Sequence, residues 1–216
     1  MKKVFRSLPL GLVLLLAGCS STYYNTMEKF GIAKREILAD RVDDTRKAQE
    51  KAKEQFADAL QQFLALTQID GGDLQRKYDS LNTQFKRSEA RAKEVRDRIA
   101  SVENVAEALF REWKQELAQY TNPTLRSESQ RQLDSTRQRY DTLIELMRRA
   151  SERMDPIIAT FRDQMLFLKH NLNASAIASL GTTQRTLEAD ISRLISEMET
   201  SIREAERFIR DLKAGS

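Results

Sequence analysis

The sequence predicts an all-α protein, an elongated antiparallel coiled-coil or four-helix bundle. Three features point there. Apolar residues recur every three to four positions over long runs, only 7 Gly and 3 Pro interrupt 216 residues, and opposite charges sit four apart on the faces between. A 3.6-residue period marks a helix with one buried stripe, whereas a half-buried strand alternates every second residue. With 31% charged and 40% apolar residues and so few turn-formers, the chain does not suit a loop-rich α/β or all-β fold.

The first residues read as an address. Lys2, Lys3 and Arg6 precede a short apolar run, Leu8 to Leu16, and small residues Ala17 and Gly18 follow it. That is the three-part pattern of a secretory signal, and the run falls short of the ~20 residues that a spanning helix needs. Leu16-Ala17-Gly18-Cys19 resembles the bacterial lipobox. The resemblance implies that signal peptidase recognises Leu16, Ala17 and Gly18, and that Cys19 takes a diacylglycerol thioether and becomes the acylated N-terminus. Ser20 stands where an aspartate usually directs inner-membrane retention in such lipoproteins, which favours the outer membrane, facing the periplasm. The expected organisation is a signal peptide over 1–18, a lipidated tether over 19–26 and one helical-bundle domain over 27–214. Without the leader, 33 basic residues face 32 acidic ones, so the calculated excess of +4 is mainly a targeting signal.

Asn25 or Thr26 can cap a first helix, whose stripe runs from Phe30 through Ile37, Leu38, Val42, Ala48, Ala52, Phe56, Ala59, Phe63 and Leu66. Asp70-Gly71-Gly72-Asp73 reads as a turn, with Asp73 as the next cap. The second helix carries the clearest pattern. Leu74, Tyr78, Leu81, Phe85, Ser88, Ala92, Val95, Ile99, Val102, Ala106, Leu109 and Trp113 alternate steps of four and three, an a/d seam over nearly six heptads. Tyr120-Thr121-Asn122-Pro123 ends it, because the residue before proline avoids the α region.

A third helix follows with Leu133, Thr136, Tyr140, Leu143, Met147, Ala150, Met154, Ile157, Phe161, Met165, Leu168 and Leu172. Pro156 removes one backbone hydrogen bond inside it, which predicts a bend there unless Asp155 caps a fresh start. Asn171 to Ser175 reads as its last turn. The fourth helix brings Ile177, Leu180, Leu187, Ile191, Leu194, Met198, Ile202, Ala205, Ile209 and Leu212, and stops at Gly215. Six pairs spaced four apart are expected to lace the outer faces: Asp43–Lys47, Glu89–Lys93, Glu94–Arg98, Glu107–Arg111, Glu145–Arg149 and Glu206–Arg210.

Catalytic patterns are missing. Gly71-Gly72 is followed by Asp73 and Leu74, with no P-loop lysine and therefore no nucleotide site. A di-iron bundle needs Glu-x-x-His on two helices, but the chain has a single histidine, His170, with Phe167 three residues before it. His170 also stands without companions for zinc and suits a capping or surface role near a helix end. Cys19 is the single cysteine, so no intrachain disulfide forms. No enzyme and no cofactor is expected.

Basic clusters at Lys34-Arg35, at Lys86-Arg87 with Arg91, and at Arg148-Arg149 with Arg153 are candidate contacts for lipid headgroups or a protein partner. Neighbouring acids, Glu36, Glu89, Glu145 and Glu152, favour reading them as solvated faces. A nearly neutral exported chain argues against nucleic acid.

The stretch Met27-Glu28-Lys29-Phe30-Gly31-Ile32-Ala33-Lys34-Arg35-Glu36-Ile37-Leu38-Ala39-Asp40-Arg41-Val42, continued by Gln49, Lys53, Gln55, Phe56, Ala59, Leu60 and Phe63, is the specific part of a wider likeness. It resembles the opening of an uncharacterised family of Gram-negative α-helical lipoproteins, a domain of unknown function with some members labelled DNA-repair ATPases. The missing P-loop and the export signal contradict that label for this chain. The expectation is an outer-membrane lipoprotein with a non-catalytic coiled-coil scaffold or interaction role, bound to an envelope protein or to further copies of itself. A curvature-sensing helical module is the alternative reading. An enzyme acting on envelope polymers is a third, with no motif behind it.

Overall fold

The computed structural model describes residues 34–67 and 74–214. The lipobox Leu16 to Cys19, the tether, the cap at Asn25 or Thr26, Phe30, the turn Asp70 to Asp73 and Gly215 lie outside the described residues. Among the described residues there are five helices: α1 (Lys34–Thr67), α2 (Leu74–Leu117), α3 (Pro123–His170), the short α4 (Ala174–Ser179) and α5 (Gly181–Ala214). No strand occurs among the described residues.

The four long helices form an up-down-up-down bundle. Each packs on two neighbours in the ring α1–α2–α3–α5, as short connections require. Diagonal helices meet across the core, where the Phe63 and Phe161 rings stand edge to face with centroids 6.0 Å apart. At 1.5 Å per residue, α3 makes the rod about 70 Å long. One end, called near, holds the start of α1, the α2–α3 turn and the end of α5. The far end holds α4.

Every described stripe residue of α1 is buried, as are Leu81 through Trp113 of the α2 seam, with Leu74 and Tyr78 half-buried. The buried face is nonetheless wider than an a/d seam. Val105, Phe110 and Leu117 on α2, Ile144, Ser151 and Ile158 on α3, and Ser201 and Phe208 on α5 are buried beside it. Each helix must cover two neighbours, so a third position per heptad turns inward.

Local chemistry sets the helix ends. Asn122 adopts an extended backbone and its side chain accepts from the Thr124 and Leu125 amides at 2.9 and 3.2 Å, with Pro123 in the first turn. The residue read as a helix stop is thus equally the cap of the next helix. Asn173 caps α4 in the same way, accepting from Ala176 at 3.0 Å. The expected fourth helix is divided at Leu180, so that Ala174–Ser179 stands as α4 ahead of α5.

At Pro156, α3 runs on unbroken, and Asp155 starts no new helix. The proline and Glu152, whose carbonyl loses its usual donor, both lie on the exposed face, where water can replace the bond. Asp155 instead receives Arg96 of α2 at 2.8 Å.

Gly181 opens α5, and a Cβ built there meets nothing within 4 Å. Gly181→Ala should therefore stabilise the bundle by about 0.5–1 kcal/mol through lower unfolded-state entropy. A thermal midpoint raised by about 1–3 °C is expected; a lowered midpoint would contradict the open site.

Candidate functional site

Of the cations singled out in the sequence, Lys34 turns inward. It is 7% exposed and its ammonium lies 2.8 Å from Glu112 of α2. Arg35 stacks over the Trp113 ring, its guanidinium carbon 5.2 Å from the centroid. The Trp113 indole N–H in turn donates to Ser129 of α3 at 2.9 Å. This one aromatic residue ties three helices together at the near end.

Arg148, Arg149 and Arg153 lie about 25–35 Å further along the rod, at 1.5 Å per residue from the level of Ser129 and Gln132, and they do not form one patch. Arg148 reaches Glu103 on α2 at 2.6 Å, Arg149 reaches Glu145 on its own helix at 2.7 Å, and Arg153 grips Glu197 on α5 with two bonds of 2.8 and 3.3 Å. Arg148 and Arg153 therefore point to opposite seams of α3. Arg91 pairs with Glu94 at 2.7 Å, while Lys86 and Arg87 are exposed. His170 is exposed in the last turn of α3.

Three of the six expected pairs are present: Asp43–Lys47, Glu107–Arg111 and Glu145–Arg149. Of the remaining groups, Glu94 and Lys93 pair within their own helix, with Arg91 and Asp97, and three others cross between helices. Glu89 takes Arg162, Arg98 takes Asp44 and Glu206 takes Arg46. A side chain at the edge of a buried stripe sits closer to the neighbouring helix than to the next turn of its own. The hydrogen bond from Lys47 holds Asp43 below the usual carboxylate range, helped by Arg46.

Three concavities lie at the near end. Two clefts of about 330 and 340 Å³ share Arg35, Trp113 and Gln132. A third, of about 330 Å³, is lined by Phe110, Tyr140, Lys114 and Arg137. Their charges are largely spent on each other: Arg131 on Glu128, Arg139 on Asp211 and Lys34 on Glu112. No group of three or more His, Cys, Asp or Glu that could hold a metal occurs among the described residues. No described helix is long and apolar enough to cross a membrane.

Outside the core, the large apolar side chains left exposed among the described residues are Tyr120, Leu125, Leu166 and Phe167. The first two flank the α2–α3 turn at the near end, and the other two lie at the far end of α3. Reading the stripes passed over them. Leu125, Leu166 and Phe167 were visible as apolar residues that fall off the seam.

Tyr140 lies in the third cleft, its ring 5.4 Å from Phe110 and 6.5 Å from Phe208. Burial pushes its phenol up to about 12, and the Glu103 carboxylate adds to the shift. The unfolded phenol ionises near 10.0, so the unfolded state gains by releasing its proton while the folded state still holds it. Stability is present below pH 10 and falls as pH rises towards about 12. Tyr140→Phe should remove about 1 kcal/mol of that fall, a value reduced for screening of a half-exposed ring. Urea midpoints at about pH 9 and about pH 11.5 measure it; identical pH dependence in both proteins would refute the shift.

No curated protein and no solved structure matches the chain. A family model described as "Protein of unknown function (DUF2959)" matches residues 23–212, nearly the whole chain after Cys19, and the protein belongs to that family.

Proposed function

We propose that this protein is an outer-membrane lipoprotein whose helical rod is a non-catalytic scaffold, moored at the near end and presenting its far end to an envelope protein. The observation that carries the reading is the placement of exposed apolar side chains. They sit at the two ends of the rod, while ion pairs occupy every seam of its flanks. A body sealed along its sides and apolar at its tips suits a spacer between two attachments.

The near attachment is the lipid on Cys19. The lipobox-like Leu16-Ala17-Gly18-Cys19 ends fifteen residues before α1 begins at Lys34. Each buried methylene contributes about 0.8 kcal/mol, so several acyl chains hold where one would release. The far attachment is the neighbouring pair Leu166 and Phe167, 58% and 43% exposed. The curvature-sensing alternative draws on Arg148, Arg149 and Arg153, and their carboxylate partners weigh against it.

Cys19→Ser should leave the protein soluble in the periplasm or uncleaved in the inner membrane. Outer-membrane fractionation unchanged from the parent would end the anchored reading. A photo-crosslinking residue placed at Phe167 in living cells should give a discrete protein adduct, and one at exposed Thr142 on the flank should not. Equal yields at both positions would remove the far-end surface.

A further inference from the structure

We infer that the α2–α3 turn, residues 118–126, is a second membrane contact that rests in the headgroup layer of the bilayer holding the lipid on Cys19. The inference rests on the lipoprotein reading above and adds to it a surface of the folded body.

Position comes first. Arg139 of α3 pairs with Asp211 of α5 at 2.9 Å, and α5 ends three residues later at Ala214. From the corresponding level, near Thr136, α3 continues back to Pro123. The α2–α3 hairpin therefore projects past α5 by about 20 Å at 1.5 Å per residue. It projects past Lys34 too, since Lys34 meets Glu112 while α2 runs on to Leu117. The fifteen residues from Cys19 to Lys34 span at most about 50 Å. Of the two apolar ends, the anchor thus draws this one to the bilayer.

The chemistry of the turn fits that neighbour. Tyr120 is 41% exposed and Leu125 56% exposed. A tyrosine ring with its hydroxyl is suited to the boundary between headgroups and acyl chains. From Ala118 to Ser127 there is no carboxylate, in a chain with 32 of them. Arg126 adds an exposed cation within the turn. Anionic headgroups attract such a surface at close range and would repel an acidic one.

The test uses the full lipidated protein in vesicles of phosphatidylethanolamine and phosphatidylglycerol. Cys19 is the single cysteine, so with its thiol held as a thioether, Leu125→Cys supplies the one free thiol for an environment-sensitive fluorophore. Leu166→Cys is the control, about 60 Å away along α3. Quenching by spin-labelled lipid should be at least about twofold stronger at 125 than at 166, and Tyr120→Ser should weaken it at 125. Equal quenching at the two positions, or none at 125, overturns the contact while leaving the anchor intact. Thiol titration and the intact mass of the unsubstituted protein report on the anchor separately. A free, unmodified Cys19 would overturn the lipoprotein reading and this inference with it.

Discussion

Each long helix has to bury one apolar stripe against two neighbours at once, and nearly everything else about the rod depends on that. A seam of a and d positions suffices for two helices facing each other. Closing a ring of four turns further positions inward, and here those are Val105 and Phe110 on α2, Ile144 and Ile158 on α3, and Phe208 on α5. Fully buried Phe56, Phe63, Phe161, Met147 and Met154 fill the space between the layers. A buried side chain of this size contributes about 1.5–3 kcal/mol relative to exposure. Individual ion pairs on the surface are worth far less, in the range of about 0–1 kcal/mol. Burial therefore sets the stability, and charge sets something else.

That something is choice of partner helix. The long basic side chains at the edges of the stripes reach across every seam: Lys34 to Glu112, Lys53 to Glu199, Arg162 to Glu89 and Arg139 to Asp211. A different order of helices would break these pairs. Greasy stripes alone are too similar to exclude such alternatives. Gln49 works in the same direction from inside. It is fully buried and accepts from Ser201 of α5 at 3.0 Å, while its amide nitrogen has no partner among the described residues. Exchanging the amide oxygen and nitrogen would leave the oxygen unpaired instead, so half the group remains unsatisfied either way. Thr45 and Ser88 satisfy their hydroxyls on their own helices, at Arg41 and Gln84. Gln49 gives up some stability to bond across to α5, which fixes the level at which α1 and α5 meet.

The stripes were legible because burial follows a period, and a period survives in sequence. Every described residue assigned to the α2 seam is buried or half-buried, from Leu74 to Trp113. Partners across seams were not legible, since they depend on which helix lies alongside and at what level. Glu89 has Lys93 one turn away in sequence, yet it bonds Arg162, 73 residues away. Pro156 shows a different limit. Its cost depends on whether the freed carbonyl faces water or the core, and the exposed position of Pro156 decides that. At the near end, Trp113 was readable as a core residue. Its role in joining Arg35 and Ser129 required the three-dimensional arrangement.

The distribution of surface types then constrains how the rod meets other molecules. A flank of paired charges presents little net field and no continuous apolar strip, so side-by-side association would desolvate ion pairs for little return. The ends differ. There the helices stop, capping groups replace backbone bonds, and residues off the stripe have no neighbouring helix to cover them: Tyr120 and Leu125 at one end, Leu166 and Phe167 at the other. Leu125 and Leu166 lie about 60 Å apart on α3, at 1.5 Å per residue. α3 runs without a break between them, through Pro156, so the number of residues between them sets that separation along the helix. That spacing is a property of the helix itself.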